Sequence, residues 1–275
     1  MSLITRRTRV ATAAVAAAAM VALAGCSSDD SNNDDNASTE TESQDKGTDE
    51  EEPAEETDGG DAFAGASADD IADQAFDALM GADALRMVGD IDQAGEQMGI
   101  DLHLSRDGDC AGSISMSSQG SFEIIKLGNE AWLRPDTTFW STAAGVTDQS
   151  ILSQLDGFFL YGPADEPPMN SSAESCNLES FLSQMGTGGN AVGLTMGEAT
   201  EIDGTPAVTL HEGDEATIVV ATEGDPFPLR IENNDPATGA GTIDFSSFNE
   251  PVPAEQPAAT EVITIEDLQS GAFLG

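Results

Sequence analysis

The chain has 275 residues and carries 51 acidic against 9 basic residues, for a formal net charge of −42. This balance argues against nucleic-acid binding, which needs lysine and arginine to displace counterions, and against docking on anionic head groups, which uses polybasic segments. The acidity favours a well-solvated surface over a site for divalent cations, because no Asp-x-Asp-x-Asn-Gly calcium loop is present.

Residues 1–25 have the pattern of a secretory signal peptide. Three arginines precede an Ala-rich apolar run of about 15 residues, which is short of the roughly 20 that a retained membrane span needs. The run ends in Leu23-Ala24-Gly25-Cys26, which resembles the bacterial lipobox. The resemblance implies that Cys26 takes a diacylglyceryl group and that the chain is cut just before it. We therefore expect lipid anchoring on the outer, extracytoplasmic face of the cell membrane.

The segment after the lipobox is acidic and contains almost no apolar residues. Such a composition cannot offset the entropy of ordering, so we predict a lipidated cysteine and a disordered acidic linker over residues 26–66. As a tether, the linker would span roughly 30–40 Å before charge repulsion extends it. We expect the remaining residues, 67–275, to form a single domain.

The first part of that domain shows a helix followed by strands. Ser67 with Asp70 has the form of a capping box, and Ile71, Ala75 and Leu79 fall on one stripe of a helix that ends near Gly81. Alternating apolar residues then predict strands over 85–91, 100–104, 110–116, 122–127 and 131–133. Asp-Gly and Gly-Asn turns between them indicate antiparallel hairpins with one apolar and one wet face.

The rest of the chain mixes both kinds of element. Short helices are predicted over 147–155 and around Leu178–Met185, on either side of a proline-rich loop. Strands are predicted over 199–203, 207–211, 216–221, 227–232 and 240–245, with a final helical turn over 264–268 after an extended proline segment. This order predicts an α+β domain.

Three cysteines are present. If Cys26 carries lipid, Cys110 and Cys176 remain as an even pair in an exported protein, where disulfides persist. We predict a disulfide between them that joins a strand to the start of a helix; the alternative is two buried free thiols.

Catalytic motifs are absent from the sequence. It has no Gly-x-Ser-x-Gly elbow, no His-Glu-x-x-His pair and no phosphate-binding Gly-x-x-x-x-Gly-Lys loop. His103 and His211 are better explained as sheet residues than as bases. Trp132 and Trp140 suit packing better than the mouth of a ligand site. We expect no enzyme activity, no catalytic residues, no cofactor and no metal site.

Three later segments carry a family resemblance. They are Glu201–Leu210, Gly224–Ile231 and Ile243–Val252. Together with the lipobox, acidic tail, helix and strand run, their order is similar to that of actinobacterial cell-surface lipoproteins of the LolA/LppX-like, lipid-carrier kind. The resemblance implies a strongly curved antiparallel sheet, or half-barrel, with helices packed on its concave face around a hydrophobic cavity. It implies no particular ligand-binding residues.

The leading functional hypothesis is a lipid-anchored protein that binds or carries a lipid or glycolipid between sheet and helices. The alternative is a surface interaction or sensory module with a filled core and an unidentified protein partner.

Overall fold

The computed structural model describes residues 62–93, 95–186, 192–236 and 239–272. The predicted signal peptide, Cys26 and the linker up to residue 61 lie outside the described residues. The described chain begins at Ala62, before the predicted domain start at Ser67, and Phe63 packs against buried residues of the first helix and the sheet.

The described residues form strands β1 to β12 and helices α1 to α6. The strands are β1 (Ala84–Gln93), β2 (Glu96–Ser105), β3 (Cys110–Met116), β4 (Gly120–Leu127), β5 (Glu130–Pro135), β6 (Phe159–Pro163), β7 (Thr195–Ile202), β8 (Thr205–Glu212), β9 (Ala216–Ala221), β10 (Pro228–Asn233), β11 (Ala240–Ser246) and β12 (Val262–Thr264). The helices are α1 (Ala68–Gly81), α2 (Thr137–Thr142), α3 (Gln149–Leu155), α4 (Met169–Ala173), α5 (Leu178–Gly186) and α6 (Ile265–Ser270). Two 3₁₀ turns, Glu174–Cys176 and Ala259–Glu261, complete the set.

All twelve strands belong to one sheet in the order β12-β6-β5-β4-β3-β2-β1-β11-β10-β9-β8-β7. Neighbouring strands are antiparallel except for β12, which runs parallel to β6. The sheet is open, with β12 and β7 at its two edges. The predicted α+β class and the antiparallel hairpins are therefore confirmed.

Helix α1 follows its sequence pattern closely. The Ser67 hydroxyl accepts a hydrogen bond from the Asp70 amide at 3.1 Å, and the Asp70 carboxylate accepts one from the Ser67 amide at 3.1 Å. This reciprocal pair satisfies amides that the first turn leaves free. Ile71, Ala75 and Leu79 are fully buried on one stripe.

The largest buried cluster joins one face of the sheet to several helices. The sheet contributes residues that alternate along β1 to β6, and the helices contribute residues from α1 to α5. Its members include Leu79, Leu85, Leu102, Leu104, Ile124, Leu133, Leu152, Leu155, Met169, Leu178, Leu182 and Phe245. We call the sheet face that bears this cluster the core face.

The opposite face is not uniformly wet, which corrects the sequence expectation. Ile125, Trp132 and Phe159 alternate with core-face residues and form a separate buried cluster. Ala254, in the segment between β11 and β12, packs against this cluster. The chain returns from β11, in the middle of the sheet, to β12 at its edge, and this long segment explains why apolar residues are buried on this face.

Candidate functional site

Along the same strands, the core-face residues are fully buried at one end of the sheet and partly exposed at the other. We call these the closed end and the open end of the core face. At one end Leu85, Leu104 and Phe245 are at most 2% exposed. At the other end Ile91 on β1 and Ile243 on β11 are only half-buried. Because the strands are antiparallel neighbours, these partly exposed residues gather at one end of the sheet.

An apolar cleft of about 410 Å³ lies at this open end. Its lining comes from β1, β2, β3, β10 and β11 and from the turn before β11, and no described helix residue lines it. The apolar lining consists of Ile91, Met98, Met116, Ile231 and Ile243. Met98, Met116, Ile231 and Ile243 also pack against the main buried cluster, so the cleft continues the core.

One strand glycine lines the cleft, and a second lies opposite a cleft-lining residue. Gly89 lies opposite Ile243, and Gly241 lies opposite Ile91 in the register of β1 and β11. A Cβ at Gly89 would lie 2.5 Å from the Thr242 carbonyl oxygen, and a Cβ at Gly241 would meet the Asp90 carbonyl oxygen. The two strands therefore approach each other without room for side chains here, and the space above them stays open.

The polar part of the lining is small. Glu96 and Asn233 provide it together with the backbone of Gly239. The Asn233 side-chain amide donates to the Gly239 carbonyl at 3.1 Å. An apolar concavity with few polar groups at its rim is the usual form of a small-molecule site.

A second groove, of about 570 Å³, lies beside the disulfide and has a different character. Its lining includes Arg106 and Lys126 as well as Asp165, Glu174 and Glu179. Lys126 donates to the Gly108 carbonyl at 2.5 Å, and Arg106 donates to the Ala82 carbonyl at 2.8 Å. Both cations thus have structural partners, and the mixed charges do not suit an apolar ligand.

The two cysteines predicted to pair are joined in the structure. Cys110 at the start of β3 forms a disulfide with Cys176, and their Cα atoms are 5.4 Å apart. Cys176 lies in the 3₁₀ turn before α5 rather than in the helix itself. Cys26, the predicted site of lipidation, lies outside the described residues.

The histidines do not come together. His103 on β2 lies opposite Arg86 on β1, and His211 lies on β8 with its Nδ1 3.3 Å from the Thr217 hydroxyl. Burial is the main cause that lowers the pKa of His103. Five strand-to-strand steps separate β2 from β8, so the two imidazoles form no joint site.

The tryptophans both pack in buried clusters. Trp132 is 1% exposed on the opposite face, where its ring centroid lies 5.3 Å from that of Tyr161. Trp140 on α2 is 5% exposed and belongs to the main cluster. Neither lines the apolar cleft.

Within the described ranges, no group of three or more His, Cys, Asp or Glu side chains is arranged to hold a metal ion. None of the helices in these ranges has the length and apolar character required to span a membrane.

No protein family and no curated protein matches this sequence. Among solved structures, LprF from Mycobacterium bovis is similar at 13% identity and a TM-score of 0.44, over 70% of this chain and 97% of that one. The Mycobacterium tuberculosis lipoprotein LppX is similar at 13% identity and a TM-score of 0.40, over 68% and 98%. A LolA superfamily protein from Nitrosomonas europaea has 10% identity and a TM-score of 0.23, over 70% and 95%.

The similar structures thus include proteins of the LppX and LolA kinds that the sequence resembles.

Proposed function

We propose that this protein is a lipid-anchored, extracytoplasmic lipoprotein that holds the apolar part of a lipid or glycolipid in the cleft lined by Met98, Met116 and Ile231. The observation that carries the proposal is the open end of the core face. There an apolar surface that is elsewhere covered continues into a cleft of about 410 Å³.

The physical driving force is the removal of acyl chains from water. Each buried methylene contributes about 0.8 kcal/mol, so even part of one chain gives measurable affinity. The cleft volume lies within the roughly 300–1,000 Å³ range of small-molecule sites. The flexible thioethers of Met98 and Met116 adapt to chains of different shape.

The anchor and tether belong to the same proposal. Cys26 would carry the diacylglyceryl group, residues 27–61 would form an acidic spacer, and the cleft would work near the membrane surface. The sheet would curve as a half-barrel with the helices on its concave face, and the ligand would enter at the open end of the core face, where no described helix residue lines the cleft.

The test uses the full chain in phospholipid vesicles that contain a trace of photoactivatable diacylglycerol. After irradiation, mass spectrometry of the digested protein should find adducts on the peptides that contain Met98 and Met116. Met116→Trp, which fills the cleft, should reduce these adducts several-fold.

The matched control is Ser113→Trp, since Ser113 is an exposed residue of the same strand on the opposite face. This variant should give the same yield of adducts on these peptides as the unmodified chain. Adducts spread evenly over the surface, or equal labelling of the two tryptophan variants, would exclude the cleft as the binding site.

A second candidate function is supported by the edge strand β7. Six of its eight residues are exposed, and its outer edge is unpaired among the described residues. Such an edge can accept an added strand from a partner. Glu198 and Glu201 on β7 would favour a basic segment. A crosslinker placed at residue 198 on intact cells should then capture one defined protein, whereas the lipid hypothesis predicts none.

A further inference from the structure

The mouth of the apolar cleft has a fixed negative charge. Glu96 lies at the start of β2 and lines the cleft. Its Oε1 accepts hydrogen bonds from the Ser118 amide at 2.9 Å and from the Ser117 hydroxyl at 3.2 Å. The Ser118 backbone hydrogen bond is the main cause that lowers the pKa of Glu96, so this carboxylate stays ionised at neutral pH.

A second carboxylate flanks the turn between β1 and β2 but alternates with the cleft-lining Ile91, so it lies on the opposite face of the sheet. Asp92, near the end of β1, is exposed, and its Oδ1 accepts a hydrogen bond from the Gly95 amide at 3.1 Å. Of these two carboxylates, Glu96 alone lines the cleft.

Among the residues that the structure describes, no basic side chain lines the cleft to balance this charge. From residue 62 onward the sequence has five basic residues, and the structure describes all of them. Arg86, Arg134 and Arg230 form cross-strand ion pairs with Asp101, Glu123 and Asp244, on side chains that alternate with those of the core face. Arg106 and Lys126 line the separate groove beside the disulfide.

From this placement we infer that the cleft selects its ligand by head-group charge: it takes amphiphiles of the acylglycerol type, whose acyl chains are joined to an uncharged head group, and rejects anionic phospholipids. The inference rests on the proposed function and adds a substrate class to it.

The physical reason is that the head group must remain near the rim when the acyl chains enter the apolar cleft. A phosphate there would face the Glu96 carboxylate, and no Arg or Lys of the described ranges lines the cleft to pair with it. Like-charge contacts are an effective means of discrimination, because they cost affinity for the wrong ligand without affecting the right one. An uncharged glycerol or sugar has no charge for the Glu96 carboxylate to repel, so its acyl chains can enter the cleft without this cost.

The test compares two photoactivatable probes with identical acyl chains, diacylglycerol and phosphatidylglycerol, at equal concentration in vesicles of uncharged phosphatidylcholine that carry the full chain. Diacylglycerol should give at least about threefold more adduct on the Met98 and Met116 peptides, as a single partly screened charge allows. Glu96→Lys should raise phosphatidylglycerol labelling to the level of diacylglycerol. Glu96→Gln, which keeps a hydrogen-bond acceptor for Ser117 and Ser118, should give an intermediate ratio.

Glu212→Lys is the matched control, because it makes the same charge change at an exposed residue of β8. It should leave the ratio of the two probes unchanged. Equal labelling by both probes in the unmodified chain would overturn the charge selection while leaving lipid binding intact. If Glu96→Lys and Glu212→Lys change the ratio of diacylglycerol to phosphatidylglycerol adducts equally, the role of Glu96 would be overturned. Absence of cleft adducts with either probe would overturn the proposed function itself, and the selection with it.

Discussion

Cys110 on β3 and Cys176 before α5 are bonded to each other and are both at most 1% exposed. They are separated by 66 residues along the chain. The bond therefore links the middle of the sheet directly to the α4–α5 region, at the closed end of the core face. The helices there share the main cluster with the sheet, so the disulfide and the apolar packing act on the same contact.

The first prediction concerns this bond. Replacing both cysteines by alanine should lower the free energy of unfolding by up to about 4 kcal/mol, because the loop no longer restricts the unfolded chain. Urea unfolding followed by circular dichroism measures the change. Unmodified protein treated with reductant is the control and should show a similar loss, whereas equal stability of the oxidised and reduced protein would contradict the prediction.

The second prediction is a pH dependence from the Arg86–Asp101 pair. Arg86 donates to both Asp101 oxygens, at 2.9 and 2.8 Å, and this hydrogen bonding is the main cause that lowers the pKa of Asp101. A pKa lowered on folding contributes stability above the unfolded value of about 3.9, and this contribution is lost as pH falls through the lower folded value.

Both side chains of the pair are more than a third exposed, so the contribution should stay below about 1 kcal/mol. Urea unfolding at a series of pH values between 2 and 7 measures it. Asp101→Asn should flatten the acid limb of the profile, and Arg86→Met should flatten it by a similar amount. An unchanged acid limb in both variants would show that the pair does not contribute.

The third prediction compares two glycines. Gly112 on β3 has a φ of +150°, and a Cβ there would collide with the Asp101 carbonyl oxygen. Gly112→Ala should therefore destabilise the protein by about 2 kcal/mol or more. Gly81 ends α1, and a Cβ there meets nothing within 4 Å. Gly81→Ala should be neutral or stabilising by up to about 1 kcal/mol. Thermal unfolding of the two variants side by side checks the difference.

Local patterns in the sequence were enough to predict much of the sheet. The hairpins from β1 to β5 have period-2 alternation and short turns, so their signal lies within a few residues.

Helix α2 was missed because Phe139 and Trp140 have high strand propensity. The helix forms because the Asp136 carboxylate accepts a hydrogen bond from the Phe139 amide at 2.6 Å, and because the Trp140 side chain is buried. Strand β12 was missed since it has three residues and pairs in parallel with distant β6.

The cleft could not be predicted for a related reason. Along β2, Met98 and Leu102 occupy equivalent positions of the same alternation, and nothing in the pattern separates a covered from an open residue. The two residues differ in exposure because different distant elements pack against them. The sequence resemblance implied a cavity between sheet and helices, whereas the described lining of the cleft comes from strands and one turn.

This difference along β2 gives the last prediction. Leu102 is 1% exposed in the closed end of the core face, and Leu102→Ala should cost about 2–5 kcal/mol of unfolding free energy because it leaves a cavity that cannot collapse. Met98 is half-buried at the cleft, and Met98→Ala should cost about 1 kcal/mol or less.

Ligand binding should respond in the opposite order. Met98→Ala enlarges the cleft and should change the yield of diacylglycerol adducts and the preferred acyl-chain length. Leu102→Ala, assayed under conditions in which it is fully folded, should leave both unchanged. Urea unfolding and photolabelling of the same two preparations check both effects. Equal loss of stability in the two variants would mean that the open end of the core face is packed as tightly as the closed end, and the site for a ligand would then have to lie elsewhere.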